Sequence, residues 1–452
     1  MISAALICAA LAALAYAAPA AAREGPGLRS ARWVFHPRLE VGGAYDSNFF
    51  RDAPDEDAAP LDPVWHLDLE AAARLRNRDP RRLGVDLDLT AGWRQLFDVA
   101  DEPGEAEHAD RQLDARSGFD AIRGRLTLAI APRAAFSVGL EATGRYTDEP
   151  AADRLFDEAF QRLEIEAGPD LRFRPGDSPA SRALEMTLGY RFAALRYLDL
   201  APALGTARGQ KDTHKLQLAT RWNFFPKTAA LLDVRLWVVN YPEVSDRLGA
   251  SQASSPDKDL TPLRVEAGLR GLLTRRLSAT VKGGLSHSFN ASGESYQGFI
   301  GRLELDYRLE PRLTVRLGYA RELDDDAFAS YYVLDRFFAA ATVNLPARLS
   351  LSARLGYDRL DYSSASQPRF VDGERVEPVL RGEAALAWAF AEPLSLVAKW
   401  SLEDNRSDFC YRLDLSGKPC AGAELNPKSG RPQIERAGFT RHLLSLTVRA
   451  SY

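Results

Sequence analysis

Hydrophobic and charged residues alternate along most of this chain. Between Gly301 and Leu309, leucine and tyrosine occupy the odd positions from Leu303 onward, and arginine, glutamate and aspartate occupy the even ones. A period of two predicts a β-strand with one apolar and one polar face, because a helix would spread the same charges around its circumference. The alternation recurs in segments 83–94, 162–167 and 263–270.

Short Pro/Arg turns and long polar connections alternate between these strands. Short turns are predicted near 79–81, 131–133, 174–182, 226–227, 275–276, 310–312, 346–348 and 392–393. Long connections are predicted near 49–63, 98–110, 147–159, 199–213, 243–260, 290–295, 324–330, 360–377 and 403–433. With both ends of the chain on the short-turn side, this rhythm predicts about 18 strands, within a range of 16–18. An even number is usual in bacterial barrels.

One stretch leaves the strand count open. Between Asp110 and Ile130 the run Arg123-Gly124-Arg125 breaks the alternation. We interpret the stretch as one long strand with a bulge. Two separate strands would change the count.

Strand length separates two all-β classes. Many alternating runs here extend over about 10–14 residues, close to the 9–11 of membrane strands and longer than the 5–6 of soluble sandwiches. A register slip in 301–309 would move four charges into lipid, at about 2–4 kcal/mol for each arginine at the bilayer centre. We therefore expect a single transmembrane, antiparallel, up-and-down β-barrel.

Composition agrees with a single barrel. A soluble chain of 452 residues would divide into domains, yet no linker or composition shift divides this one. The net charge of −4, with acids and bases mixed, gives no basic stripe for nucleic acid. Charged residues make up 27% of the chain, too many for a helical membrane protein.

Residues 2–22 carry no charge and are rich in alanine and leucine. We interpret residues 1–22 as a signal peptide and 23–452 as the barrel, because the apolar run ends in small residues before Arg23. A membrane anchor and a lipoprotein site at Cys8 are the alternatives. Ile7 is too bulky to precede a lipidated cysteine. Export through this segment predicts a bacterial outer-membrane location.

The final strand resembles that of outer-membrane proteins. An alternating run that ends in an aromatic residue is their signature, and here it consists of Leu444, Leu446, Val448 and Tyr452. The resemblance implies recognition by the barrel assembly machinery. The alternative is an ordinary edge strand that ends in tyrosine.

A second resemblance lies at the end of the first strand. The run Ala44-Tyr45-Asp46-Ser47-Asn48-Phe49 resembles the element that opens the beta-barrel porin type 2 family. Some members of that family are linked to capsule or exopolysaccharide export, which implies a periplasmic polysaccharide-export component as a partner. Physically, Asp and Asn suit a strand that turns into a loop.

The polar parity predicts a lumen wall. Its candidates are Asp68, Glu70, Arg74, Asp86, Asp88, Arg94, Arg116, Glu141, Arg145, Glu164, Glu166, Arg191, Arg221, Arg235, Arg264, Glu266, Arg270, Arg302, Glu304, Asp306, Arg316, Arg354 and Lys399. Two interpretations stay open: a ladder of ion pairs between strands, and a charged constriction that selects solutes. Acids and bases are nearly balanced, so strong selectivity for one sign of ion is not indicated.

Other chemistry is weakly supported. Cys410 and Cys420 close a polar segment, and an exported chain would join them in a disulfide. The six histidines are scattered and no Gly-x-Ser-x-Gly elbow occurs, so we expect neither catalysis, a cofactor nor a metal site.

The expected function is a polar channel for hydrophilic solutes or for polysaccharide export, in contact with outer-membrane lipid and lipopolysaccharide. The alternative is a structural or surface-binding barrel plugged by its own loops.

Overall fold

The structure is a computed structural model of the chain. It describes residues 27–48, 63–80, 82–98, 117–149, 160–176, 183–198, 210–241, 259–291, 295–310, 312–324, 331–363, 375–407, 410–412, 434–436 and 438–452. The predicted signal peptide and Cys420, hence the predicted disulfide, lie outside these ranges. Within these ranges, no helix is long and apolar enough to cross a membrane.

The described residues form 21 strands. The first half of the chain contributes β1 (Leu28–Arg29), β2 (Trp33–Asp46), β3 (Val64–Asn77), β4 (Leu83–Asp98), β5 (Gly118–Ile130), β6 (Phe136–Glu149), β7 (Phe160–Phe173), β8 (Leu184–Tyr197), β9 (Lys211–Phe225) and β10 (Thr228–Asn240). The second half contributes β11 (Leu263–Leu272), β12 (Leu277–His287), β13 (Gln297–Glu310), β14 (Leu313–Asp324), β15 (Tyr332–Leu345), β16 (Leu349–Tyr362), β17 (Val376–Trp388), β18 (Leu394–Asn405), β19 (Cys410–Arg412), β20 (Ile434–Arg436) and β21 (Phe439–Ser451).

Eighteen of these strands close into one antiparallel barrel. From β2 to β18 each strand pairs with the next, and β21 pairs with both β18 and β2, which closes the ring. The short β1 adds to β2, and β19 pairs with β20 as a separate two-stranded sheet. Eight short and nine long connections join the barrel strands, so the predicted strand count and turn rhythm are confirmed.

The doubtful stretch before Ile130 contains one described strand with an irregular register. Gly92 on β4 pairs with Ala121, but its neighbour Trp93 pairs with Phe119, so Asp120 is an extra residue on β5. This is the two-against-one count of a β-bulge. A bulge is therefore present in the described part of the stretch, which begins at 117, but it lies at Asp120, whereas the Arg123-Gly124-Arg125 run pairs regularly with β4.

Large hydrophobic side chains cover one face of the sheet. Leu285, Leu446 and Val281 are 65%, 53% and 50% exposed, and exposed leucine, valine and aromatic residues recur at alternate positions on the other strands. A closed barrel with such a belt presents hydrocarbon-like surface to its surroundings, as lipid requires. Strands of 10 to 16 residues are long enough to cross a bilayer.

The short turn between β15 and β16 has an unusual backbone. Ala347 and Arg348 have φ of 58° and 60°. Two consecutive left-handed residues are the mark of a type I′ hairpin turn, whose twist matches that of the strands. Neither residue is the glycine or asparagine that this conformation favours.

Candidate functional site

The strand register places the predicted wall residues on a single face of the sheet. Asp68 is the Cα partner of Arg94, and Asp306 is the partner of Arg316. The described candidates follow the same parity: Asp68, Glu70 and Arg74 on β3; Asp86, Asp88 and Arg94 on β4; Glu141 and Arg145 on β6; Glu164 and Glu166 on β7; Arg191 on β8; Arg221 on β9; Arg235 on β10; Arg264, Glu266 and Arg270 on β11; Arg302, Glu304 and Asp306 on β13; Arg316 on β14; Arg354 on β16; and Lys399 on β18. Arg116 lies outside the described residues.

Contacts that skip a strand identify this face as the inner one. Lys215 on β9 contacts Glu166 on β7 at 2.5 Å, and Lys282 on β12 contacts Asp233 on β10. In a closed barrel, side chains converge on the concave face and diverge on the convex face. Pairs that reach over an intervening strand are therefore interior, and the exposed leucines of the other parity face outward.

Ion pairs connect neighbouring strands along the wall. Arg94 on β4 lies between Asp68 of β3, at 2.9 Å, and Asp120 of the β5 bulge, at 3.2 Å. Arg74 binds Asp86 through two nitrogens, with distances of 3.0 and 2.6 Å. The bulge thus turns Asp120 toward an arginine that would otherwise have one carboxylate partner.

A second cluster forms around Asp358 on β16. Arg336 of β15 donates to its two oxygens at 2.9 and 3.1 Å, and Arg381 of β17 also donates to it. The Asp358 side chain is 5% exposed. One carboxylate therefore links three strands.

The closure between β2 and β21 carries two further ion pairs. Asp46 is fully buried and accepts hydrogen bonds from Arg441 Nε at 3.0 and 2.9 Å. Lower on the same two strands, Glu40 accepts from Arg449 at 2.8 and 3.2 Å. Both pairs join the first and last strands of the ring.

The Tyr45-Asp46-Ser47-Asn48 element makes further contacts across this closure. The Asn48 amide group donates to the Thr440 carbonyl at 3.1 Å, and the Asn48 backbone N–H donates to Asp46 at 3.2 Å. Ser47 Oγ accepts from the backbone N–H of His442 at 2.8 Å. The polar residues of the element therefore hold the barrel shut at its long-loop end.

Cations lie beside an aromatic side chain near the long-loop rim. The guanidinium of Arg264 is 4.4 Å from the ring centroid of Trp237, and the ammonium of Lys215 is 5.6 Å from it. Arg264 also donates to the carbonyl of Leu323 on β14. These contacts join β9, β10, β11 and β14.

Several wall residues form no ion pair with other described residues. They are Asp88, Arg221, Arg235, Glu266, Arg270 and Lys399. The ion-pair ladder accordingly accounts for part of the wall, and these six remain for interaction with water or solute.

Parity reasoning missed several members of the wall. Glu40, Asp46 and Arg441 belong to strands whose inward positions are largely small or uncharged, and Asp170 follows a Gly-Pro pair that obscures the alternation. Asp170 nonetheless contacts Arg191 at 2.8 Å. Continuing the alternation of inward and outward positions through Gly168 and Pro169 would have identified Asp170 as an inward residue.

His66 Nδ1 lies 3.0 Å from a carboxylate oxygen of Asp68 on the same strand. Within the ranges that the structure describes, no group of three His, Cys, Asp or Glu residues could hold a metal ion.

Comparisons with known proteins concern the barrel shape. No family model matches the chain, so the resemblance of the first strand to the porin type 2 family remains a prediction. No curated protein matches it in sequence.

Solved barrels are similar to it only distantly. OccK3 (OpdO) of Pseudomonas aeruginosa is 11% identical with a TM-score of 0.46, covering 92% of this chain and 95% of that one. OprD of the same species is 11% identical with a TM-score of 0.44 over 97% and 99%. The siderophore receptor PirA, also of that species, is 10% identical with a TM-score of 0.42 over 96% and 85%. At these values nothing about substrate passes from those proteins to this chain.

Proposed function

We propose that the protein is a channel of the bacterial outer membrane that passes hydrophilic solutes through a charged lumen. The main support for this proposal is the contrast between the two faces of one closed 18-stranded sheet, which is ion-paired inside and hydrophobic outside. Barrels of about 16–18 strands are wide enough to enclose water unless loops fill them.

The paired wall supports a pore of weak ion selectivity. Arginines and carboxylates form ion pairs at several places around the ring, as in the pairs of Arg94 with Asp68 and of Arg336 with Asp358. Neutralised pairs present dipoles more than net charge, so a hydrated solute meets hydrogen-bonding groups of both signs. Small neutral or zwitterionic solutes suit such a lining.

Planar-bilayer recording tests the channel. Full-length protein refolded into detergent should produce discrete conductance steps. Complete silence at all voltages would overturn the open channel and leave the barrel plugged by its loops.

Modification of introduced thiols tests which face of the sheet lines the conducting pore. In a background without Cys8, Cys410 and Cys420, S401C places a thiol on the inner face, and L402C places one on the adjacent outward position. A cationic methanethiosulfonate reagent should reduce the conductance of S401C and leave that of L402C unchanged. Equal effects on both would contradict a conducting lumen.

Export of a polysaccharide through the same pore is the second candidate. It is supported by the resemblance of the Tyr45–Asn48 run to a family with members linked to such export, and it adds a periplasmic export component as a partner. Deletion of the gene should then abolish surface polysaccharide. Unchanged polysaccharide would remove export and leave diffusion.

Assembly partners belong to the same proposal. Tyr452 lies on the outer face, 46% exposed, and its backbone N–H donates to the Pro37 carbonyl at 3.1 Å. We expect the signal segment to direct export, the assembly machinery to insert the barrel, and lipopolysaccharide to surround it. Removing Tyr452 should lower the fraction of protein inserted into the outer membrane, whereas Y452F should retain it. Equal insertion of the unaltered protein, the deletion and Y452F would contradict the role of Tyr452 as an assembly signal.

A further inference from the structure

A cavity opens on the inner face at the short-turn end of β11 to β14. Its volume is about 680 Å³, and its lining combines charged and hydroxyl side chains of four successive strands and their turns: Arg270, Arg276, Ser278, Asp306, Arg308, Glu310, Thr314 and Arg316. Four arginines thus face two carboxylates in one concave space. We call it the arginine pocket.

One arginine of the arginine pocket is neutralised inside it. Arg316 of β14 forms an ion pair with Asp306 of β13, its direct Cα partner. Because this pair removes one charge of each sign, three arginines and Glu310 remain.

The remaining arginines have no carboxylate partner among the residues that the structure describes. Arg276 donates to the carbonyl of Leu309 at 2.9 Å. The side chains of Arg270 and Arg308 make no hydrogen bond or ion pair with any other described residue. Elsewhere on the wall most arginines are paired, as the double hydrogen bond of Arg74 to Asp86 shows.

Like charges in one cavity repel one another, and each guanidinium presents several N–H donors. A bound anion relieves the repulsion and accepts from the donors, and planar guanidinium groups match the oxygens of phosphate or carboxylate. Ser278 and Thr314 add hydroxyl donors to the same lining. A volume of 680 Å³ accommodates a small polyanion together with water.

We propose that the arginine pocket binds a multiply charged oxyanion of the pyrophosphate or phosphate-ester class at the short-turn mouth of the lumen. The proposal deepens the channel function and rests on it only for the route by which the anion arrives. An anionic solute would pause here as it enters or leaves the wider, ion-paired part of the lumen.

Calorimetric titration of the detergent-solubilised full-length protein with pyrophosphate at low salt tests the pocket. R270Q and R308Q should each weaken binding by about tenfold, because each removes a charge-assisted hydrogen bond. Both side chains are solvent-exposed, so the barrel should fold as before. The difference in gel mobility between unheated and heated samples checks that each variant is folded. R76Q is the matched control: Arg76 lies at the short-turn end of β3, on the far side of the ring.

The outcomes separate the pocket from the channel. Absence of pyrophosphate binding, or an equal loss in R76Q, would overturn the arginine pocket. Binding of a polyglutamate peptide without binding of pyrophosphate would also overturn it, since that indicates a docking surface for an acidic protein. If the protein conducts but does not bind pyrophosphate, only the arginine pocket is refuted. If it binds pyrophosphate but does not conduct, only the open channel is refuted.

Discussion

Asp46 and Arg441 form a buried ion pair across the closure of the barrel, although 395 residues separate them in sequence. The aspartate side chain has no exposed surface, and that of the arginine is 18% exposed. The pair stabilises the one strand contact that makes the sheet a closed ring.

Replacing Asp46 should open this closure. D46A leaves the Arg441 guanidinium without its carboxylate in a largely buried position, which costs about 3 kcal/mol or more of the free energy of unfolding. Guanidinium unfolding of the refolded protein in detergent measures the loss. R133A is the control, because the pair of Arg133 with Asp79 is 63% and 49% exposed and such pairs contribute at most about 1 kcal/mol. Equal shifts in the two variants would refute the closure role.

The β15–β16 turn should tolerate glycine better than the residue it has. Arg348 has a φ of 60°, which costs a non-glycine residue about 1 kcal/mol. We therefore expect R348G to raise the free energy of unfolding by about 1 kcal/mol. Its exposed contact with Glu392, at 3.8 Å, is too weak to offset the gain.

R312G provides the comparison for that variant. Arg312 lies in the equivalent β13–β14 turn and is not among the described non-glycine residues with positive φ. Glycine there should lower stability slightly through the entropy of the unfolded chain. The turn assignment fails if R348G proves no more stable than R312G in the same unfolding experiment.

The outward and inward faces should respond oppositely to a new charge. Leu446 lies in the middle of β21 on the outer face, 53% exposed, and Ser445 faces inward beside Lys399. L446R should lower stability in lipid vesicles by about 2–4 kcal/mol. S445R, whose charge meets water, should cost much less. A reversed order would mean that the assignment of the two faces is wrong.

Close contact between β11 and β12 predicts a position that excludes even a methyl group. A Cβ on Gly284 would overlap the backbone carbonyl of Val265 on the neighbouring strand. G284A should therefore separate the two strands and lower the free energy of unfolding by about 3 kcal/mol. At Gly144 no atom lies within 4 Å of the added Cβ, so G144A should be tolerated; matched unfolding curves for the two would contradict the packing.

The pattern of residues predicts the strands and their faces well, because one register places four charges of 301–309 in water and the other places them in lipid. The same argument gives the eight turns and the ring of 18. The alternation does not predict which side chains form ion pairs with one another. Lys215 reaches Glu166 over an intervening strand, a contact that depends on curvature and on the stagger between strands.

Local irregularities limited the prediction of the wall. The bulge at Asp120 reverses the parity of the residues before it, and its pairing with Arg94 follows only from the register against β4. The Asp-Ser-Asn run was interpreted as a strand end that turns into a loop. The Asn48 N–H to Asp46 contact agrees with that, but the bonds to β21 required knowledge of which strand is the neighbour.

The pairing of β2 with β21 has a consequence for biogenesis. A ribosome must finish nearly the whole polypeptide before the earliest strand can meet its second neighbour. Until then both edges of the growing sheet expose unsatisfied backbone groups, which invite aggregation. Any chaperone that shields the unfinished sheet would have to remain bound until the last thirteen-residue strand is delivered.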